Sequence, residues 1–169
     1  RKIKLLSSRD RDTIQSCLFE DGLGDLLIRN KERILFTTDY SQAEKFLDNC
    51  DAIFMCLPTP EIGETGESDL TFYFSAAEKL ATALAKRNGD AQTQYIVIVN
   101  KSTVPIDMVS RTEEIMNKAG VKNFGVTANP EFLVEGKAII GSLHPDRVVV
   151  GAWQEKDFAV MRQIYQRFY

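Results

Sequence analysis

Two short and almost unbroken apolar runs constrain the fold of this chain more than any other feature of its sequence. They are DAIFMCL at residues 51–57 and QYIVIVN at residues 94–100. Runs of this length without polar alternation are typical of strands that are buried on both faces of a parallel sheet. Parallel strands need a crossover connection, usually a helix. Residues 70–87 supply one, because their apolar residues recur at helical spacing.

The same alternation of strand and helix patterns extends along the rest of the chain. Further strands are predicted at residues 33–38, 124–128 and 146–152. Further helices are predicted at residues 22–31, 40–49, 107–120 and 154–169. Asp107 is the predicted N-cap of the third of these helices, and Gly120 is its predicted stop. These elements predict an α/β fold, with a Rossmann-like parallel sheet and helices on both of its faces.

Composition argues against several classes of protein and site. A length of 169 residues favours one domain, and a net charge of −3 gives no general attraction to nucleic acid. No window stays apolar for the roughly 20 residues that a membrane helix requires. His144 is the only histidine, which argues against a histidine-based triad or metal site. Cys17, Cys50 and Cys56 lack metal-ligand spacing, so we expect no metal and reduced thiols in a cytoplasmic protein.

Three proline-containing loops follow three of the predicted strands. They are PTP at residues 58–60, KSTVP at 101–105 and NPE at 129–131. In an open parallel sheet, ligands bind in the crevice at the carboxyl ends of the strands. Proline fixes the backbone, which keeps a loop rigid beside a ligand. Three such loops on one predicted edge therefore indicate a binding crevice.

The motifs at this edge resemble one known family. FMCLPTP, KSTVP, NPEFLVEGKAI and HPDRVVVG occur in the order and with the spacing of the UDP-glucose/GDP-mannose dehydrogenase family, most like its UDP-glucose 6-dehydrogenase branch. The resemblance implies an NAD-dependent oxidoreductase of polysaccharide biosynthesis. It would oxidise the primary alcohol of UDP-glucose to UDP-glucuronate in two hydride transfers. The resemblance also implies a homo-oligomeric parent enzyme that binds neither membrane nor nucleic acid.

The same resemblance sets expectations about domain organisation. The family begins with a strand and a G-x-G-x-x-G loop, and a central helical domain supplies the catalytic cysteine. GLGDLL does not replace that loop, since position 27 is leucine and no strand pattern precedes it. Cys56 is predicted to lie inside a buried strand, and no cysteine here matches the nucleophile. We therefore expect residues 1–169 to be a partial NAD-binding domain, lacking the first strand, the Gly-rich loop and the central and C-terminal domains, and inactive alone.

The resemblance assigns roles to individual residues. Thr103 would lie near the reacting sugar carbon and a catalytic water, and Glu131 would work with that water as general acid and base. The residues expected to contact NAD are Leu57, Pro58, Thr59, Pro60, Glu61, Ser102, Thr103, Val104 and Glu135. The residues expected to contact the sugar nucleotide are Glu131, Phe132, Leu133, Val134 and Glu135.

Structural explanations for these residues remain open at this stage. Thr103 or Ser102 could cap the helix that begins near Asp107. Glu131 could be an acid in the first turn of a helix, where the helix dipole favours it. On such a helix Glu135 would lie on the same face as Glu131. In the alternative interpretation this face is simply exposed to solvent and has no binding role.

Two other classes of protein remain as alternatives. One is a non-catalytic nucleotide-binding or interaction module built on a partial Rossmann sheet. The other is an NAD dehydrogenase of small hydroxy acids, which the NPEFLVEG and HPDR motifs do not support. The larger-enzyme interpretation differs from the module in expecting an exposed sheet edge where the family's first strand would pair.

Overall fold

A computed structural model describes residues 2–17, 19–64, 66–89 and 94–168. By its internal contacts the chain divides into two compact units. The first unit comprises the chain up to Lys45, Phe132–Asp146 and Phe168. The second unit comprises Phe46–Glu131 and Arg147–Arg167.

The helices and strands are shorter than their sequence patterns. The α-helices of the described residues are α1 Lys2–Leu6, α2 Arg11–Gln15, α3 Leu23–Asn30, α4 Tyr40–Glu44, α5 Thr71–Ala85, α6 Met108–Lys118, α7 Ala138–Leu143 and α8 Glu155–Tyr165. Short 3-10 helices cover Lys31–Arg33, Leu47–Asn49 and Lys86–Gly89. The strands are β1 Ala52–Met55, β2 Ile96–Asn100, β3 Phe124–Ala128 and β4 Gly151–Ala152.

The sheet of the second unit has the strand order β1-β2-β3-β4. β1 and β3 both pair with β2 in parallel, with Ala52 opposite Val97 and Val97 opposite Gly125. β4 pairs with β3 in the antiparallel direction. The predicted parallel sheet is therefore confirmed for β1, β2 and β3, and β4 adds an antiparallel strand at its edge.

Both faces of this sheet are covered by helices, as predicted. Ile96 and Ile98 of β2 pack into a core with residues of α5 and α6. Val97 and Val99 point to the opposite face and pack against Met161 of α8. This alternation follows from the period of two in a strand, and it explains why all five residues of β2 are buried.

Two of the predicted strands differ from the structure: one is absent and the other is much shorter. Residues 34–37 form no strand, and the exposed Ile34 and Leu35 follow a 3-10 helix. Only the last two residues of the range 146–152 belong to a strand, β4. Apolar residues at strand-like spacing are not sufficient, because a strand also needs a neighbouring backbone with which to exchange hydrogen bonds.

β1 differs from β2 in burial, although their sequences look alike. Among the described residues β1 pairs only with β2, so it lies at the edge of the sheet. Phe54 is 38% exposed, and Cys56 follows the strand and is also exposed. The expectation of a doubly buried strand at 51–57, with Cys56 inside it, was therefore wrong.

The GLG sequence opens a helix of the first unit. Gly22 has a φ of +80° and precedes α3. Gly24 packs against α2 so closely that a Cβ would lie 2.8 Å from the carbonyl oxygen of Arg11. The second glycine therefore serves helix packing and leaves no open backbone for a phosphate, as the sequence interpretation expected.

Gly125, the second residue of β3, allows a similarly close approach. A Cβ at this position would overlap the carboxylate of Asp157 and the hydroxyl of Tyr95. Tyr95 donates a hydrogen bond to Asp157, which is buried at the start of α8. The missing side chain of Gly125 is therefore what lets α8 dock on this face of the sheet.

None of the helices in the described part of the chain has the length and apolar character needed to cross a membrane.

Candidate functional site

The three proline-containing loops begin at one edge of the sheet, as predicted. The amides of Lys101 and Ser102 both donate to the carbonyl oxygen of Met55, each at 3.1 Å. The amide of Asn129 donates to the carbonyl oxygen of Asn100 at 2.9 Å. Backbone hydrogen bonds therefore connect the loops at the point where β1, β2 and β3 end.

The hydroxyl of Ser102 holds two of these loops together. It accepts a hydrogen bond from the amide of Leu57 at 2.7 Å. It can donate to the carbonyl oxygen of Leu57 at 2.8 Å or to that of Met55 at 3.1 Å. α6 begins at Met108, and its N-cap is Asp107. The alternative in which Ser102 or Thr103 caps this helix was therefore wrong.

Thr59 is a second brace between the same loops. Its hydroxyl donates to the carbonyl oxygen of Thr103 at 2.8 Å. The side chain of Thr103 is exposed, whereas Leu57 and Val104 pack partly against the apolar core. The hydroxyls of Ser102 and Thr59 are thus engaged within the protein, and the hydroxyl of Thr103 faces solvent at this edge.

Pro60 and the residue that directly follows it pair with residues 68 and 69. The amide of Asp69 donates to the carbonyl oxygen of Pro60 at 2.7 Å. Glu61 and Ser68 form an isolated antiparallel bridge. Pro58, Pro60 and Glu61 are exposed. This pairing holds the backbone after the PTP loop, while the side chains of Pro58 and Pro60 remain accessible.

Asn129 of the NPE loop has a structural role. Its Nδ2 donates to the carbonyl oxygen of Val149 at 2.8 Å, and its Oδ1 accepts from the hydroxyl of Tyr165 at 2.5 Å. Asn129 is 1% exposed. It ties the end of β3 to α8 and to the segment before β4, and this leaves Glu131 two residues further along at the exposed edge.

Strand alternation places Cys56, Lys101 and Asn129 on the face that α8 covers, because Ala52, Val97 and Val99 also lie there. Partial burial raises the pKa of the Cys56 thiol, Glu131 raises it further, and Lys101 lowers it. Partial burial lowers the pKa of Lys101, and Glu131 opposes that change. The Glu131 carboxylate and the Lys101 ammonium therefore both influence the Cys56 thiol at the end of the sheet.

This influence makes the alkylation rate of Cys56 a test of whether the Glu131 carboxylate acts at this edge. The thiolate is the reactive form, so a substitution that lowers the thiol pKa accelerates alkylation. We expect Glu131→Gln to accelerate alkylation by iodoacetamide at pH 8 by roughly two- to fivefold, the effect of one nearby charge at a protein surface. We expect Lys101→Met to slow it by a similar factor. Peptide mass spectrometry gives the rate at each cysteine, with Cys17 as the internal reference.

An unchanged rate at Cys56 in the Glu131→Gln protein would show that the carboxylate does not act at this edge. An equal change at Cys17 would instead indicate a general loosening of the chain.

The predicted substrate segment has a different conformation from the one expected. Glu131 ends the second unit, and Phe132–Glu135 belong to the first unit, where they are exposed. Residues 131–135 are not helical, and α7 begins at Ala138. The expectations of Glu131 in a first helical turn and of Glu135 on the same helical face were therefore wrong.

Glu20 holds the end of this segment, and the sequence interpretation missed it. Its carboxylate accepts from the amide of Gly136 at 2.9 Å and from that of Ala138 at 2.8 Å. No local pattern signals a contact between residues so far apart in the chain. Glu20 stands before a helix start, so its sequence context suggests only a surface acid.

Within the described ranges, no group of three or more histidine, cysteine, aspartate or glutamate side chains is arranged to hold a metal ion.

A three-strand parallel core with helices on both faces, and with rigid loops at its carboxyl edge, defines a Rossmann-type nucleotide-binding fold. Residues 4–169 match the sequence model of the UDP-glucose/GDP-mannose dehydrogenase family, NAD binding domain. The chain therefore belongs to this family, and the resemblance seen in its motifs is confirmed. NAD is the cofactor of the domain that it matches.

Curated relatives support this assignment. The chain is 37% identical over 156 residues to the UDP-glucose 6-dehydrogenase TuaD of Bacillus subtilis, covering 90% of this chain and 31% of the relative. It is 33% identical over 172 residues to a UDP-glucose 6-dehydrogenase of Pseudomonas aeruginosa, covering 95% of this chain and 36% of the relative. The chain thus spans about a third of the length of these relatives.

Solved structures agree with the fold. A UDP-glucose dehydrogenase from Pyrobaculum islandicum superposes with a TM-score of 0.79 at 28% identity, covering 99% of this chain and 36% of that one. A GDP-mannose dehydrogenase from Pseudomonas aeruginosa, solved as a ternary complex, superposes with a TM-score of 0.80 at 26% identity, covering 98% of this chain and 36% of that one. The predicted α/β Rossmann-like fold is confirmed.

The carboxyl edge carries the kinds of groups that a dinucleotide site uses. The exposed prolines of the PTP loop present a rigid surface, and the half-buried Leu57 and Val104 add apolar area beside it. Thr103 is exposed, and its hydroxyl donates no hydrogen bond to another of the described residues, so it is available to a ligand. An edge that combines rigid apolar surface with a few polar groups is what a nucleotide site requires.

Proposed function

We propose that this chain is part of the NAD-binding domain of a larger, cytoplasmic and homo-oligomeric enzyme. That enzyme would oxidise the primary alcohol of UDP-glucose to UDP-glucuronate in two hydride transfers. The observation that carries the proposal is the braced carboxyl edge, where Ser102 and Thr59 fix the loops and Thr103 and Glu131 remain accessible. The UDP-glucose dehydrogenases among the relatives support the choice of substrate.

Contacts to NAD are proposed for Leu57 to Glu61, Ser102 to Val104, and Glu135. When bound, NAD+ supplies the acceptor for the hydride that leaves the sugar alcohol. Ser102 would act on the cofactor indirectly, because its hydroxyl is already engaged with the backbone of the PTP loop. Thr103 would offer the polar contact, and the prolines would limit the motion of the loop against the cofactor.

Contacts to the sugar nucleotide are proposed for Glu131 to Glu135. Phe132, Leu133 and Val134 form an exposed apolar stretch between two carboxylates, which suits a ring with one apolar face and several hydroxyls. In the second oxidation, Thr103 would orient a water and Glu131 would accept its proton as the water attacks an acyl thioester. The leaving thiolate would belong to a cysteine of the central domain, since Cys17, Cys50 and Cys56 do not match the family's nucleophile.

The edge of the sheet supports the larger-enzyme interpretation over the self-contained module. Among the described residues, the far edge of β1 has no strand paired with it. A module that needs no other segment gains nothing from an open edge, because unpaired strand groups invite association.

The first test is whether NAD+ contacts the predicted loops. In 15N-labelled chain titrated with millimolar NAD+, we expect shift changes at Leu57–Glu61 and at Ser102–Val104. We expect Thr103→Val to weaken NAD+ binding roughly tenfold, the effect of one lost hydrogen bond. The matched control is Thr82→Val, because Thr82 is an exposed threonine of α5 on the same unit.

Shift changes confined to other regions would overturn the cofactor site. The chain with NAD+ and UDP-glucose should show no NADH absorbance at 340 nm. Turnover by the chain alone would contradict the proposal that another domain supplies the nucleophile.

A further inference from the structure

The turn that follows the proposed substrate segment has an unusual means of support. The amide of Lys137 donates to the carbonyl oxygen of Val134 at 3.0 Å, which closes a four-residue turn. Gly136 has a φ of +79°, a conformation that favours glycine. The turn leads directly into α7, whose N-cap residue Lys137 makes no capping hydrogen bond through its side chain. The amides at the start of α7 therefore depend on another part of the chain.

Glu20 provides the hydrogen-bond acceptors for the amides at the start of α7. Each of its carboxylate oxygens accepts one hydrogen bond. Oε1 accepts from the amide of Gly136, and Oε2 accepts from the amide of Ala138. Hydrogen bonds from backbone amides to a carboxylate are stronger than those between neutral groups. A negative charge beside the first amides of a helix is also favourable. Glu20 thus fixes both the end of the turn and the start of α7.

Glu20 is itself held in a defined place. The side-chain Nε2 of Gln15 donates to the carbonyl oxygen of Glu20 at 2.5 Å, and the amide of Gly24 donates to the Oε1 of Gln15 at 3.0 Å. Arg11 of α2 and Asp25 of α3 form an ion pair at 2.7 Å. These contacts fix the segment between α2 and α3. The Glu20 carboxylate then links this segment to the turn before α7.

We propose that Glu20 is a positioning residue that sets the conformation of Phe132–Glu135 for binding the nucleotide sugar. This inference rests on the proposed function, which makes that segment part of the substrate site. Glu20 does not contact substrate in this scheme, because both of its carboxylate oxygens are engaged by backbone amides. Without it the amides of Gly136 and Ala138 lose the carboxylate that holds them, and the backbone that follows Glu135 is no longer fixed.

Amide hydrogen exchange tests the positioning role directly. We expect Glu20→Gln to accelerate exchange at Gly136 and Ala138 by roughly tenfold to a hundredfold, as expected when a hydrogen bond to a charged group is lost. Exchange at the buried amides of β2 should stay unchanged, which separates local loosening from unfolding. The matched control is Glu32→Gln, an exposed glutamate of the same unit. Unchanged exchange at Gly136 and Ala138 would overturn the proposal.

Titration with UDP-glucose separates this inference from the proposed function. In the wild-type chain we expect shift changes at Phe132–Glu135, and in Glu20→Gln we expect roughly tenfold weaker binding. A merely structural acid would leave this affinity unchanged once folding is intact. If exchange at Gly136 accelerates and binding is unaffected, the positioning of substrate is overturned. If the wild-type segment does not respond to UDP-glucose, the substrate site itself fails while the cap remains supported.

Discussion

Replacing Gly125 by alanine should destabilise the second unit by about 3–5 kcal/mol. A Cβ at this position would overlap the Asp157 carboxylate and the Tyr95 hydroxyl, so the partly buried hydrogen bond between them must break or α8 must shift. Overpacking a rigid site costs about 1–3 kcal/mol, and losing a hydrogen bond to a charged group costs about 1.5–3 kcal/mol. Urea unfolding followed by circular dichroism measures the change.

Gly151→Ala is the matched control for this substitution. Gly151 also lies in the sheet, but a Cβ there would meet only the Cβ of Ala128 at 3.7 Å, an ordinary van der Waals contact. We expect a change below about 1 kcal/mol for it. Equal effects of the two substitutions would show that the close approach of α8 to β3 does not determine stability.

Replacing Tyr73 by phenylalanine should cost about 2–4 kcal/mol. The hydroxyl of Tyr73 donates to the Oδ1 of Asn100 and contacts the Oγ1 of Thr112 at 2.9 Å. The Nδ2 of Asn100 has no partner among the described residues. The substitution would leave the whole amide unpaired at a site that is 1% exposed. An unsatisfied buried polar group costs about 1–3 kcal/mol, and the lost hydrogen bond adds to that.

A double substitution tests the mechanism. The loss of stability is expected to arise from the unpaired side-chain amide of Asn100. If so, Tyr73→Phe should destabilise the protein much less when Asn100→Leu is already present, because the two residues act as a pair. Tyr40→Phe is the control, since Tyr40 is 46% exposed. Additive effects of Tyr73→Phe and Asn100→Leu would contradict this explanation. The test also concerns the site, because Asn100 ends β2 immediately before the loop that carries Thr103.

The elements with the strongest patterns were predictable from sequence. β2, α5 and α6 were predicted because their apolar period reflects burial that each segment experiences along its whole length. The predicted stop at Gly120 is confirmed by its φ of +81°. β1 and the region of β4 were less predictable, because hydrophobicity does not say whether a strand has one neighbour or two.

Some features of the candidate site were likewise predictable from sequence, and others were not. The position of the three loops at one edge follows from the direction of parallel strands, and the family motifs led to NAD as the cofactor. The brace formed by Ser102 and the turn after Glu135 were missed or misassigned, because each depends on a partner elsewhere in the chain. Glu20 is the extreme case, since its partners are the amides of Gly136 and Ala138.

The sequence by itself determined the class of fold, the family and the edge at which chemistry is expected. It could do so because local periodicity and short motifs are properties of neighbouring residues. Only the tertiary structure decided that Ser102 and Asn129 hold the site together, that β1 lies at an open edge and that Glu20 caps a distant helix. These features depend on contacts between segments that are far apart in the sequence. Backbone groups left unpaired in one segment find their hydrogen-bond partners in another segment only when the chain folds.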